Sequence, residues 1–193
     1  MAKKRYEFKP DREGQDLLSR FTLTKKQQQS LLKWSLYGIV LLLLSVLQDC
    51  ILYDMRIFGS TTDLVPCAII AICVLEGATE SSTFALAASF LFYATGSSGG
   101  VHAIPVLTFC GLGAAIIRQN YLQKGFSATM LCTGVATVLY ELAAFACALI
   151  MAQTYLGRWS VVIIMSGLST AAVSLLYRIF LAIGKIGGES WKE

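Results

Sequence analysis

The stretch Leu31–Tyr53, LLKWSLYGIVLLLLSVLQDCILY, decides the kind of fold that this chain adopts. It is longer than the roughly 20 apolar residues that a helix needs to cross the hydrocarbon core of a bilayer. Trp34 and Tyr37 lie near one of its ends and Tyr53 lies at the other, and aromatic side chains favour the two membrane interfaces. We therefore predict a first transmembrane helix here.

The composition of the whole chain agrees with a membrane protein. Hydrophobic residues make up 55% of the 193 residues, charged residues make up only 15%, and the mean hydropathy is +0.63. Soluble domains reach about 45–50% apolar residues only when glycine is counted among them. The sequence thus predicts one membrane domain and no soluble domain of any size.

Five further apolar segments predict an all-α membrane protein, a bundle of about six transmembrane helices. The predicted spans cover about 31–53, 63–75, 82–95, 101–117, 126–152 and 158–183. The second and third are shorter than the roughly 20 residues of a straight crossing. Two interpretations of this pair stay open: the bilayer thins around it, or it forms an irregular hairpin buried against the other helices.

The distribution of positive charge predicts that both chain termini are cytoplasmic. With six spans, every Lys and Arg except Arg56 and Arg158 falls on the inner side, as the positive-inside rule requires. The weakest point is the link between spans two and three, which carries Glu76 and Glu80 and no cation. The predicted parts are a loosely ordered basic tail, a six-span domain and a short cytoplasmic tail, at 1–30, 31–184 and 185–193.

The one histidine in the chain, His102, follows a Gly/Ser turn that includes Gly99 and Gly100. Six spans place this turn on the outer face. In one interpretation His102 is an interfacial anchor, with its polar tip in water and its ring against lipid or a neighbouring helix. In the other it faces an outward-opening groove in which a partner docks.

A carboxyl group lies near the middle of the fifth predicted span, at Glu141 in VLYELAAF. An ionised carboxylate at that depth costs roughly 2.5–3.5 kcal/mol unless it faces the bundle interior, is neutralised or finds a partner. One interpretation makes it a structural group that is protonated or bonded to the hydroxyl of Thr133, Thr137 or Tyr140. The other makes it a proton relay or the counter-ion of a substrate.

Other polar and small residues are predicted to have structural roles. Gln48 and Asp63 lie at predicted helix ends, and the carboxylate of Asp63 would complement the positive end of a helix dipole. Small residues four positions apart predict close helix contacts. These pairs are Ala85 with Ser89, Gly111 with Ala115, and Ala144 with Ala148.

The sequence carries no pattern for catalysis or metal binding. It has no HExxH, GxSxG or phosphate-binding Gly-Lys-Ser/Thr motif, and its six cysteines form no CxxC pair. We therefore predict that the protein is not an enzyme and holds no cofactor and no metal. The cysteines are expected to be small buried apolar residues.

The order of landmarks between about residues 40 and 150 resembles the MreD family of the rod-shape system. That family shows Leu-Gln at the end of span one, Phe/Leu-Gly in the following link, and Pro-Asp-Leu at the start of span two. The residues that match are Leu47, Gln48, Phe58, Gly59, Asp63 and Leu64. Thr62 stands where proline is usual, and Phe92 stands about where many members carry aspartate.

Two later motifs add to this resemblance. The family shows Gly-x-His/Tyr-Ala at the start of span four, followed by a Gly-x-x-x-small face that ends in arginine. LYELAAF is similar to its Leu-x-Glu-apolar step in span five. The residues that match are Gly99 or Gly100, His102, Ala103, Gly111, Ala115, Arg118 and Glu141.

The resemblance implies a non-catalytic scaffold of the bacterial cell-elongation machinery in the plasma membrane, which regulates cell shape. Its partners would be a single-span MreC-like protein, an MreB-like filament, a wall-synthesis transpeptidase or glycosyltransferase, and the bilayer; no nucleic acid is expected. Within this family His102 and the turn before it would form a partner-docking edge, and Glu141 would be an intramembrane structural group.

The architecture also suggests a second hypothesis. Small six-span proteins with short irregular loops serve as substrate-capture components of energy-coupling-factor transporters, and His102 with the turn at 95–100 would then line a vitamin-sized pocket. A membrane enzyme is a third hypothesis, but the sequence shows no paired catalytic groups for it.

Overall fold

The computed structural model of the chain describes residues 25–52, 62–96, 100–122 and 125–187. These residues form six α-helices and no β-strand, which confirms the predicted all-α fold for this part of the chain. The helices are α1 Lys25–Leu47, α2 Leu64–Glu76, α3 Ala78–Ala94, α4 Ala103–Tyr121, α5 Phe126–Ile150 and α6 Trp159–Gly184. A π-helical turn, Gln48–Leu52, extends α1, and the 3-10 turns Leu156–Arg158 and Lys185–Gly187 flank α6.

Three helical stretches among the described residues are long and apolar enough to cross a membrane by themselves. They are Gln27–Cys50, Phe126–Ile150 and Leu156–Gly184. Only 22% to 28% of the most apolar window of each is buried in the bundle. Large apolar side chains such as Leu43, Leu131 and Leu175 face outwards on them. These exposed apolar surfaces suit contact with lipid hydrocarbon rather than with water, which indicates a membrane protein.

The short helix α2 is the core of the fold. Every residue from Leu64 to Leu75 is buried, and α2 contacts each of the other five described helices. Its sequence, LVPCAIIAICVLE, has no polar stripe, and a helix that is apolar all round is stable when it is enclosed. At 1.5 Å per residue α2 is about 20 Å long. An enclosed helix does not have to match the roughly 30 Å hydrocarbon core, because lipid does not reach it.

The other five helices form a ring around α2. α3 contacts α4, α4 contacts α5, α5 contacts α6, and α1 closes the ring through contacts with α6 and α3. Two of the three predicted small-residue pairs lie in the interior of this bundle, since Ala85, Ser89, Gly111 and Ala115 are buried. Ala144 and Ala148 on α5 are half-buried. A Cβ atom on Gly111 would lie 3.3 Å from Cys73 Sγ on α2, so glycine lets α4 approach α2 closely.

A one-residue link, Gly77, joins α2 to α3. Its φ of +90° belongs to a region that glycine enters without steric cost, which allows the chain to reverse sharply there. For the two short predicted spans, the sequence left open a thinned bilayer or burial against the other helices. The structure supports burial for α2. The third helix differs from the expectation, since it begins at Ala78 rather than at about Ser82 and keeps an outer face with Leu86 and Phe90 exposed.

The predicted tails lie mostly outside the described residues. The described chain begins at Lys25, where α1 starts, so the last residues of the predicted tail at 1–30 are helical. Residues 1–24 and 188–193, which hold the rest of both predicted tails, are outside the description, as is Gly99.

Candidate functional site

Polar side chains gather at the two ends of α2, inside a bundle that is otherwise apolar. We name each group after its most buried carboxyl residue. The Glu141 cluster lies at the N-terminus of α2 and consists of Gln48, Asp63, Glu141 and Ser169. The Glu76 cluster lies at its C-terminus and consists of Lys33, Tyr37, Glu76, Glu80 and Arg118.

Within the Glu141 cluster, Gln48 caps the N-terminus of α2. Its Oε1 accepts a hydrogen bond from the backbone N–H of Val65 at 3.0 Å, and its Nε2 donates to Asp63 Oδ1 at 3.2 Å. The first N–H groups of a helix have no partner inside the helix, so this bond satisfies one of them. Asp63 was expected at this helix start, with its carboxylate beside the positive end of the dipole. It does occupy the cap position, but its side chain makes no capping bond.

Asp63 connects α2 to both α5 and α6. Its backbone N–H donates to Ser169 Oγ on α6 at 2.8 Å, and its carboxyl group is hydrogen-bonded to that of Glu141 on α5. Glu141 is only 4% exposed, so this contact is enclosed. The bonded partner of Glu141 in the structure is thus a second carboxyl group rather than one of the hydroxyls expected from the sequence. Ser169 was not singled out in the sequence, where a serine in an apolar helix gives no signal of its own.

A stripe of hydroxyl groups continues from Glu141 along α5. Thr129, Thr133 and Thr137 are fully buried at intervals of four residues, which places them on the face of α5 that looks into the bundle. The Thr137 hydroxyl donates to the carbonyl of Thr133 at 2.8 Å and lies 3.4 Å from Cys67 Sγ on α2. Most of the polarity of this face is therefore satisfied within α5 or by α2.

In the Glu76 cluster, a buried ion pair and a tyrosine hydroxyl together join four helices. Lys33 Nζ on α1 lies 2.6 Å from Glu76 Oε2 at the end of α2 and 3.2 Å from Glu80 Oε2 on α3. The Tyr37 hydroxyl lies 2.6 Å from the other oxygen of Glu76 and 3.0 Å from the carbonyl of Phe180 on α6. These contacts explain the acidic link between α2 and α3, because its two carboxylates share a cation from α1.

Arg118 caps the opposite end of α2 from Gln48. It lies in the last turn of α4, and its Nη1 donates to the carbonyls of Val74 at 2.5 Å and Leu75 at 3.2 Å. The last carbonyls of a helix lack partners within it, and the C-terminal end of its dipole is negative, so a guanidinium stabilises this end twice over. Arg118, which the sequence marked only through its family motif, is buried and structural here.

We expect Arg118→Met to lower the free energy of unfolding by about 1–3 kcal/mol, because two buried carbonyls lose their donor. The measurement is SDS-induced unfolding of the purified chain in detergent. Arg178→Met is the matched control, since Arg178 is an exposed arginine near the end of α6. Equal stability of the two variants would contradict the capping role.

His102 belongs to neither cluster. It is half-buried directly before α4, and its ring packs against Gly100: a Cβ atom there would lie 2.9 Å from two ring atoms. The φ of Gly100 is +154°, so a side chain would be strained there for backbone reasons as well. The structure thus fixes His102 beside the turn, and both interpretations of its role stay hypotheses.

An open groove of about 840 Å³ runs between α5 and α6 on the outer surface of the bundle. Small residues of both helices, including Gly134, Gly167 and Ala171, lie along it together with larger apolar side chains. Its Ser166 and Thr170 hydroxyls donate to carbonyls of their own helix at 2.8 Å. The groove therefore offers an apolar surface that suits a helix or an acyl chain.

Comparison of the chain with protein-family models, with curated proteins and with solved structures gave no match. The two clusters, the groove and the motif resemblance are therefore the observations from which its function is argued.

Proposed function

We propose that this chain is a non-catalytic membrane scaffold of the MreD type that acts in the bacterial cell-elongation machinery. The observation that supports this most is the spatial meeting of residues from separate motifs of the resemblance. Gln48, Asp63 and Glu141 come from three motifs and form one cluster, and Arg118 from a fourth holds the other end of the helix that Asp63 begins. The residues of these motifs support α2 at both of its ends, which is a structural rather than a catalytic role.

The proposal includes six crossings of the plasma membrane with both termini in the cytoplasm. The Glu76 cluster supports this topology because Lys33 and Tyr37, near the start of α1, contact Glu76 and the Phe180 carbonyl, near the end of α6. The described chain therefore starts and finishes at the same end of the bundle. An even number of passes has this property, and the positive-inside rule assigns that end to the cytoplasm.

Partners would bind through helix faces in this account. The small-residue pairs at Ala85 and Gly111 are already used for packing inside the bundle, so they are not free for other proteins. The groove between α5 and α6 keeps its small residues open to the outside, and close approach of a partner helix needs such residues. The basic residues of 1–24 would bind anionic lipid or the cytoplasmic partner.

The test of this function is recovery of the tagged chain after crosslinking in native membranes, followed by mass spectrometry. We expect an MreC-like protein and a wall-synthesis transpeptidase or glycosyltransferase to be enriched. We also expect Gly167→Leu, which fills the groove, to reduce that recovery several-fold. Gly38→Leu is the matched control, because a side chain at either glycine meets open space.

The opposite outcome would favour the transporter hypothesis. Recovery of paired ATPases and a coupling transmembrane subunit, with tight binding of a vitamin-sized solute by the purified chain, would contradict the scaffold. Equal partner recovery from the two leucine variants would contradict the groove as the binding surface.

A further inference from the structure

The carboxyl pair of the Glu141 cluster holds a feature that the scaffold role does not use. Glu141 is 4% exposed, and within the described part of the chain its Oε1 has no hydrogen-bond partner. Its carboxyl group is bonded to that of Asp63 at the start of α2. A hydrogen bond between two carboxyl groups needs a proton on one of them, and two ionised carboxylates in contact repel each other strongly in an enclosed site.

The surrounding hydrogen bonds favour one member of the pair as the holder of this proton. The backbone N–H of Val65 donates to Gln48 Oε1, so the amide of Gln48 can only be oriented with Nε2 towards Asp63. Asp63 Oδ1 therefore accepts from Gln48, and the backbone N–H of Asp63 is already engaged by Ser169. The donating amide of Gln48 stabilises negative charge on Asp63, which favours Glu141 as the member of the pair that holds the proton.

The groups around the pair favour this single negative charge. Asp49 from the turn after α1 lies close enough to Asp63 to act on it electrostatically, and this opposes further negative charge there. Cys67 of α2 and Tyr140 of α5 also lie close to the pair, with Cys110 of α4 beyond Tyr140, and all three are neutral at ordinary pH. From α6 the pair meets hydroxyl groups, those of Ser169 and its neighbour Thr170.

We propose that a proton held by Glu141 and donated to Asp63 latches the start of α2 to α5, and that its loss releases this end of the core helix. The released state has two adjacent carboxylates with no cation between them among the described residues. Gln48 and Ser169 would then lose their fixed partner, and the contacts that α1 and α6 make with the start of α2 would loosen. The protein would respond to the pH on the side where α2 begins, independently of which partner it binds.

The sign of the pH dependence follows from linkage. At neutral pH the folded pair holds one proton, whereas two separate carboxyl groups in the unfolded chain hold none. Folding therefore takes up a proton, and stability falls as pH rises until the folded pair has also lost it. The folding equilibrium constant should decrease by up to about tenfold per pH unit over this range.

The experiment measures the melting temperature of the full-length chain in detergent from about pH 6 to about pH 9. We expect the melting temperature of the wild type to fall with pH and that of Glu141→Gln to stay level, because glutamine donates to Asp63 without a titrating proton. Glu80→Gln is the matched control, since Glu80 is a partly exposed carboxylate at the other end of the bundle, and it should keep the wild-type slope. If Glu141→Gln does not fold, Asp63→Asn takes its place.

A second readout follows the start of α2 directly. Cys67 and Cys73 are both fully buried on α2, the first one turn from Asp63 and the second towards the Glu76 cluster. With the other cysteines replaced, the ratio of thiol labelling at Cys67 to that at Cys73 should rise several-fold with pH in the wild type and remain constant in Glu141→Gln. Using the ratio removes the common effect of pH on thiol reactivity.

Three outcomes would overturn the latch. One is an equal pH slope of melting temperature in the wild type and in Glu141→Gln. Another is a labelling ratio that does not change with pH. The third is a rise in the stability of the wild type at high pH when sodium ions are added, with no such rise in Glu141→Gln. The pair would then bind a metal cation rather than a proton.

Discussion

Lys33→Met is expected to lower the free energy of unfolding by about 3–5 kcal/mol, because it leaves the carboxylate of Glu76 buried without its cation. The side chains of Lys33 and Glu76 are 8% and 6% exposed, and their charged atoms lie 2.6 Å apart. Breaking such a pair costs much more than removing a surface ion pair, which is worth about 0–1 kcal/mol. SDS-induced unfolding of the purified chain in detergent measures the difference.

Two further variants separate the stranded charge from other effects of the lysine. Lys185→Met removes the same charge from an exposed position near the end of α6, and it should change stability by no more than about 0.5 kcal/mol. Adding Glu76→Gln to Lys33→Met should restore part of the loss, since the carboxylate that had lost its cation is then no longer ionised. A Lys33→Met variant as stable as Lys185→Met would show that the ion pair does not hold the bundle together.

Gly111→Leu is expected to push α4 away from α2 and to destabilise the bundle by about 1–3 kcal/mol or more. Even a Cβ atom at this position would lie 3.3 Å from Cys73 Sγ, and α2 is held on its other sides by the remaining helices, so it cannot move aside. The same SDS titration gives the size of the effect.

Gly113→Leu provides the matched control for this substitution. Gly113 lies on the same helix, and a Cβ atom there meets nothing within 4 Å. Both substitutions raise the helix propensity of α4 equally, so their difference isolates the contact with α2. If Gly113→Leu proved as harmful as Gly111→Leu, close packing of α4 on α2 would not explain the role of this glycine.

The apolar runs of the sequence predicted the helices well, because lipid-facing helices are defined by their own composition. The expected spans at about 126–152 and 158–183 correspond to α5 at Phe126–Ile150 and α6 at Trp159–Gly184. The enclosure of α2 was left open between two interpretations. A run of twelve apolar residues looks the same in the sequence whether lipid or protein surrounds it, and only the ring of helices decides between the two.

Long-range polar contacts were the part of the site that the sequence could not supply. Glu141 was recognised as a costly group, but its partner Asp63 lies in a distant part of the chain, and the predicted hydroxyl partners were simply the nearest ones along α5. Lys33 was counted as one of the inner positive charges, and Glu76 and Glu80 as an exception to the charge pattern. The pairing of Lys33 with Glu76 and Glu80 could have been suspected from this departure from the charge pattern. A carboxylate at a membrane-embedded helix end requires a cation from another part of the chain.

The two clusters hold opposite ends of α2 by different interactions, and this arrangement suits a scaffold. The Glu76 cluster joins helices through an ion pair. The Glu141 cluster holds the other end of α2 through a proton, according to the proposed latch. A partner bound in the groove would contact α6 and also α5, the helix that carries Glu141 on its inner face. The core helix and the partner surface are thus connected through α5.

The most direct test of the scaffold proposal is photocrosslinking in living cells from single positions on the bundle surface. A photoreactive amino acid at Leu131 or Val135 would sit in the groove, with Leu43 on α1 as an outer control and Ile70 on α2 as a buried one. We expect adducts with an MreC-like protein or a wall-synthesis enzyme from the groove positions and none from Ile70. Adducts from the groove with lipid alone, or with the subunits of a transporter, would contradict it.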